Sequence, residues 1–258
     1  MRVVLPRIHD DPESEYYNAN WVRGADGNPK AYVAAMGPLP ATLTHFWRTI
    51  WESNVSAIIM ATGLIEKGKT KCERYWPAEV DGKTAMHFGD IVVLSVSEAK
   101  AKGYIFTQLK VVRHGESRRI GHFWYNTWPD HGVPRDAERS LYPDSVLGLL
   151  HTVHKWNSKF KDQPTLVHCS AGIGRTGTLI VIDHCRQLLK TQMRADPLAI
   201  IEAVRQDRPA LVQHLQQVLH HGVSDSCGDK GLDFFLGAWI LERPCDVRLS
   251  VNAAVVAC

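Results

Sequence analysis

Cys169 and Arg175, with five residues between them, are the pair on which covalent chemistry can be built in this chain. They lie in the run Thr-Leu-Val-His-Cys-Ser-Ala-Gly-Ile-Gly-Arg-Thr-Gly over residues 165–177, followed by an apolar run over 179–182. That order predicts a strand, a tight loop and a buried helix. Gly172 and Gly174 allow the loop to turn backbone N–H groups inward as an anion nest, and a helix starting near Arg175 aims its positive end at the same point. Phosphate is the natural guest. Cys169 stands at the mouth of the nest, where the helix field and the Arg175 guanidinium favour a thiolate at neutral pH. A competing motif overlaps this one, because Gly172, Gly174 and Gly177 also fit a dinucleotide-binding turn. That reading needs an acidic residue about 20 positions on, ending a second parallel strand. Asp183 falls inside the helical run and Asp196 precedes Pro197 as a helix cap, so neither candidate serves.

The elements that must hold this loop are legible in order. Residues 16–22 read as a strand with aromatic packing, and residues 31–36 as a second strand stopped by Gly37, Pro38 and Pro40. Leu43, Phe46, Trp47 and Ile50 form one apolar stripe of a helix capped by Thr42 or Thr44. Residues 56–62 are a short β-rich run, and the charged residues 66–71 read on their own as a solvated hairpin tip. Residues 91–96, 104–112 and 120–127 predict a largely antiparallel meander. Trp128-Pro129-Asp130-His131-Gly132-Val133-Pro134 then marks an irregular loop, in which Asp130 by itself is a turn residue. Val146, Leu149, Leu150, Val153 and Trp156 trace an amphipathic helix ending at Asn157 and Ser158. Cys185 is read as core, Asp196 and Pro197 cap and open a helix to about Asp207, and Gln213 and Gln217 share one polar helix face.

With 258 residues, 45% apolar and 22% charged, the chain can bury a real core. A net charge of +3 is too mild to argue for nucleic acid, although it welcomes anionic substrates. Six cysteines show no C-x-x-C pair and no secretory leader is visible, which predicts reduced thiols and a cytoplasmic protein. No window reaches the ~18 apolar residues of a membrane span, and residues 251–257 are far too few.

His168 and Cys169, five residues, then Arg175, Thr176 and Gly177 resemble the signature of the protein tyrosine phosphatases. The resemblance covers roughly residues 2–218, with the motifs in family order, and implies hydrolysis of phosphotyrosine in proteins. It implies one α/β domain: a twisted mixed β-sheet flanked by α-helices, with the site at the carboxyl end of the 165–168 strand. By that likeness Cys169 attacks phosphorus, Arg175 grips two phosphoryl oxygens, and the amides of Ser170, Ala171, Gly172, Ile173 and Gly174 cradle the rest. His168 supports the loop, and Thr176 hydrogen-bonds the departing thiolate. Trp128-Pro129-Asp130 matches the family's mobile acid loop, making Asp130 the proton donor to the phenolate. Glu66, Lys67 and Gly68, with Cys72, Tyr75 and Trp76, keep the spacing of the loop whose glutamate orients the signature arginine, although Gly63 replaces a common arginine. Arg205, Arg208, Pro209, Val212 and Gln213 resemble the glutamine loop, so that Gln213 orients the hydrolytic water and Gln217 helps; His214 and Leu215 depart from its usual pattern. Residues 16–22 match a Tyr-x-Asn-Ala segment that props the site's floor. No metal and no cofactor is implied.

Family members carry a Lys-Asn-Arg-Tyr segment ahead of the strand that begins here at Arg2. Its tyrosine walls the pocket and makes it too deep for phosphoserine. The expected organisation is therefore a catalytic domain over 1–218 with its front edge truncated, then a divergent tail over 219–258 with a short helix over 232–241. The alternative function is a phosphotyrosine-binding module with little or no turnover.

Overall fold

The computed structural model describes residues 1–128 and 144–213. Residues buried on both sides form the centre of the sheet. There β3 (Tyr32–Ala35), β11 (Thr165–His168), β4 (Ala57–Met60) and β10 (Glu116–Trp124) run parallel, in that spatial order. Every residue of β3, β4 and β11 is buried, as continuous apolar strands covered on two faces must be. The wings are antiparallel. β1 (Arg2–Val4) and β2 (Tyr16–Val22) extend the sheet beyond β3, while β9 (Tyr104–Arg113), β8 (Ile91–Ala101) and β7 (Ala85–Phe88) extend it beyond β10. The expected mixed sheet is thus present, nine strands wide among the described residues.

Two hydrophobic layers sandwich it. α1 (Leu43–Glu52) places Phe46, Trp47 and Ile50 against Val33, Ile58, Met60 and Leu166 on one face. On the other face, α2 (Asp144–Asn157), α3 (Gly174–Gln192) and α4 (Pro197–Asp207) cover Ala34, Ile59 and Val167 with Leu149, Val153, Ile180 and Val204. Successive residues of β11 therefore serve opposite cores, the period-two rule of a strand. The buried indoles keep their N–H groups bonded: Trp47 to the Tyr75 carbonyl, Trp156 to the Ser56 carbonyl.

Several boundaries differ from expectation for identifiable reasons. β8 continues past residue 96 to Ala101 because it stays laddered to β9 through a bulge between Ser95 and Ser97, although residues 96–101 are all exposed and so carry no hydrophobic signal. Thr42 occupies the position before α1, but its hydroxyl accepts from Leu39 N–H and caps nothing, because a 3-10 turn leads directly into the helix. Asp196 does cap α4, accepting from Leu198 and Ala199 N–H. The charged turn at 66–71 is a two-stranded hairpin, β5 (Ile65–Glu66) and β6 (Lys69–Thr70). Asp183 lies inside α3 and accepts from the Tyr32 hydroxyl at 2.6 Å, which closes the dinucleotide reading. Cys185 is core, as expected. Asp130, Gln217, the tail over 219–258 and the helix over 232–241 lie outside the described residues. No helix among the described residues is long and apolar enough to cross a membrane, and no metal-ligating cluster gathers there.

Candidate active site

Cys169 follows the last residue of β11, at the carboxyl end of the parallel strands, and five residues later α3 begins with Gly174. The intervening loop wraps the sulfur. Cys169 is 6% exposed, and its Sγ accepts from the Gly172 N–H at 3.3 Å. Gly172 has φ +71°, and a Cβ there would stand 2.1 Å from the Ala35 carbonyl oxygen, so backbone conformation and crowding both require glycine. The loop is tied down at both ends. Gly37 N–H donates to the Ser170 carbonyl at 2.9 Å, and Val212 N–H to the Ile173 carbonyl at 3.1 Å.

Arg175 opens the first turn of α3, and its guanidinium is met by Glu66 from β5. Nη1 reaches Oε1 at 2.6 Å and Nη2 reaches Oε2 at 3.0 Å, a bidentate pair whose side chains are 9% and 12% exposed. Nη1 also donates to the Ala61 carbonyl at 3.2 Å. Glu66 is itself held: Oε1 accepts from Gly63 N–H at 2.9 Å and from the Thr62 hydroxyl at 3.2 Å. The hairpin that residues alone present as a solvated tip therefore spends its carboxylate on the loop arginine.

One residue of the site had no assigned role in the sequence. Arg208 is buried just past α4, and its Nε donates to the Gly172 carbonyl at 2.8 Å, while Nη1 and Nη2 donate to the side-chain oxygens of Asn20 and Asn18 at 2.7 and 2.8 Å. It also reaches the Ala171 carbonyl at 3.3 Å. The guanidinium thus braces the back of the cysteine loop against β2, which is how the Tyr-x-Asn-Ala segment props the floor. The signal was present, in Arg208 before a proline and two alternating asparagines, but nothing local links positions so far apart. Arg205 does the same for the next turn, donating to the Leu211 and Val212 carbonyls at 2.8 and 2.7 Å. Gln213 follows that turn and is exposed. The Thr176 hydroxyl is buried with no partner, so the expected bond to the Cys169 sulfur is not made in this state.

His168 is fully buried behind the loop, with Nδ1 3.0 Å from the Cys169 carbonyl and Nε2 2.8 Å from the Tyr75 hydroxyl. Burial pushes its imidazole down to about 4 from the ordinary 6.5. A base depressed in the folded state takes up its proton on unfolding first, so its contribution to stability is intact above the unfolded value and is lost as pH falls from 6.5 towards 4. The shift corresponds to about 3 kcal/mol. Urea melts should show the midpoint falling across that window, and the His168→Gln variant should show a flatter profile; an equally steep profile in the variant would remove His168 as the source.

The chain is similar to known proteins. The family model described as protein-tyrosine phosphatase matches residues 1–222. Receptor-type tyrosine-protein phosphatase eta of Gallus gallus is 40% identical over 202 residues, covering 77% of this chain and 14% of the relative. Human tyrosine-protein phosphatase non-receptor type 18 is 38% identical over 229 residues, covering 86% of this chain and 47% of the relative. The chain thus spans less than half the length of these curated relatives. The solved catalytic domain of that human non-receptor type 18 enzyme superposes with a TM-score of 0.74 at 36% identity, over 84% of this chain and 75% of that one. The same protein bound to HER2 phosphopeptides superposes equally well, at 0.74 and 37% identity over 84% and 73%. With the family model spanning residues 1–222, the chain belongs to the protein-tyrosine phosphatases.

Proposed function

We propose that this chain hydrolyses phosphotyrosine in proteins through a phosphocysteine intermediate. The observation that carries the reading is the pairing of Cys169, whose sulfur accepts from the Gly172 N–H, with an Arg175 fork already squared by Glu66. In the first displacement the Cys169 thiolate forms the S–P bond, the tyrosyl O–P bond breaks, and Asp130 delivers its proton to the leaving phenolate. Arg175 and the N–H groups of Ser170, Ala171, Gly172, Ile173 and Gly174 carry the negative charge of the equatorial oxygens. In the second, a water oriented by Gln213, with Gln217 assisting, attacks phosphorus and gives its proton to Asp130. The S–P bond breaks, inorganic phosphate leaves, and the Thr176 hydroxyl, buried without a partner, is the donor held in reserve for the returning thiolate.

The substrate class is supported by a relative whose solved complexes hold HER2 phosphopeptides. Residues 1–218 are assigned as the catalytic domain, in keeping with the family match over 1–222. The thiol chemistry needs a reducing compartment, and Cys72, Cys169 and Cys185 are free, which supports the cytoplasm and a place in phosphotyrosine signalling. A binding module without turnover is disfavoured because the cysteine, arginine and glutamate are assembled rather than decayed.

Assay of the purified chain on a phosphotyrosyl peptide and its phosphoseryl counterpart tests the reading. Release of phosphate from the first and not the second is expected; binding of the first without release would establish the binding module instead. Asp130→Ala should lower kcat by about 10²-fold with little change in KM, because its proton is delivered only in the transition state. An unchanged kcat at neutral pH would take the acid role from Asp130.

A further inference from the structure

At the amino end of the central strands, opposite the cysteine loop, lies a second cleft, of about 580 Å³. Three segments frame it, and each leads into a parallel strand: residues 26–30 into β3, residues 52–54 towards β4, and residues 162–164 into β11. Its lining carries three carboxylates, Asp26, Glu52 and Asp162, against one ammonium, Lys30. The size is that of a small-molecule site, but the walls are mostly polar, so a guest must bring charge rather than an apolar body. α1 ends here, with the negative pole of its backbone at the cleft and no basic residue in its last turn. Arg113 pairs with Glu52, and Arg118 donates to the Trp51 carbonyl, which offsets part of the charge at the helix end. Asp26 accepts from the Asn28 N–H at 3.0 Å, and among the described residues neither it nor Asp162 is in a salt bridge. A second observation points to a ligand. Ser53, which closes α1, lines the cleft and is 7% exposed, yet its hydroxyl makes no hydrogen bond to any described residue. A hydroxyl so nearly enclosed is costly to leave unbonded, and it stands ready to accept an N–H from a guest.

We propose that this cleft binds a linear polycation, ammonium groups joined by methylene spacers, supplied either as a free polyamine or as the lysine side chains of a partner protein. The carboxylates come from three separate segments, and no cluster tight enough to hold a metal ion forms among the described residues. A single point charge does not suit such a set, whereas charges strung along a chain do. The half-buried Trp21 indole and Pro164 complete the lining and suit the methylene spacers. Lys30 already shows the contact in miniature, holding its ammonium 5.2 Å from the centre of the Trp21 ring.

This cleft and Cys169 lie at opposite ends of β11, so the test does not depend on the hydrolytic reading. NMR of the isotope-labelled chain titrated with spermidine should move the Trp21 indole signal and the amides of Asp26, Ser53 and Asp162 saturably. Magnesium chloride at equal charge should leave them in place. Ser53→Ala should weaken spermidine about fivefold, the scale of one net hydrogen bond. Asp26→Asn combined with Asp162→Asn should weaken it about tenfold, as two exposed ion pairs allow. Turnover of an aryl phosphate should be unchanged in all of these variants. Trilysine separates the sources: saturation by spermidine alone assigns a free polyamine, by trilysine alone a protein's lysines, and by both the chemistry they share. Equal shifts with magnesium, no saturable shift with either polycation, or full spermidine affinity in the double variant would overturn the proposal.

Discussion

Replacing Cys169 by serine is expected to lower kcat on an aryl phosphate by ~10⁴-fold or more, the scale on which nucleophile loss acts in covalent enzymes. The loop is built around a large polarisable sulfur: Gly172 N–H donates to it from 3.3 Å, and α3 begins just beyond. A serine hydroxyl stays protonated in that place, and the imidazole next to it among the described residues is not free to take its proton. His168 turns its Nδ1 to the Cys169 carbonyl and its Nε2 to Tyr75, so neither ring nitrogen is left for the side chain. Binding should survive, because the loop amides and Arg175 are untouched. Calorimetric titration with a phosphotyrosyl peptide should give a Kd near the wild-type KM. Turnover within tenfold of wild type would end the covalent scheme.

Arg175→Lys should follow with a loss of about 10³-fold in kcat, as expected when a preorganised contact to developing charge is removed. Charge is conserved in this variant, and geometry is not. Arg175 meets Glu66 through two parallel contacts of 2.6 and 3.0 Å, which fixes the plane of the guanidinium before any substrate arrives. An ammonium is a point charge on a flexible stem and cannot hold a carboxylate and two phosphoryl oxygens in one plane. KM should rise as well, since the dianion is already gripped in the ground state. Steady-state kinetics beside a thermal melt would separate this from misfolding; a kcat within tenfold of wild type would show that charge alone suffices.

How far the site could be read in advance depended on distance along the chain. The strand, loop and helix around Cys169 were legible because glycine placement, the basic residue and the apolar run are local signals. So were α1, α2 and α4, whose apolar positions repeat at helical spacing. Glu66 was different. On residues alone it belonged to a solvated hairpin tip, and only the family likeness linked it to Arg175, 109 positions away, where the structure does place it. Arg208 had no such help, since the likeness named it in the glutamine loop without a partner. Its acceptors lie on β2 and in the cysteine loop, and a buried arginine facing carbonyls looks, in one dimension, like any arginine at a helix end. The exposed half of β8 was missed because its own residues 96–101 are all solvated and leave no hydrophobic alternation to see, although the β9 residues facing them are buried or half-buried.

The bracing of the loop by Arg208 sets a condition on biosynthesis. Its acceptors, Asn20 and Asn18, lie 188 and 190 positions earlier, and β11 slots between β3 and β4, which are made more than a hundred residues before it. A growing polypeptide therefore emerges with a vacant slot at the heart of its sheet, and closes it only when residues 165–168 have left the ribosome. At roughly 5–20 residues per second that interval lasts several seconds or more. During it, apolar strand edges stand open to chaperones and to other nascent chains, and the sulfur, once made, waits unbraced until Arg208 arrives.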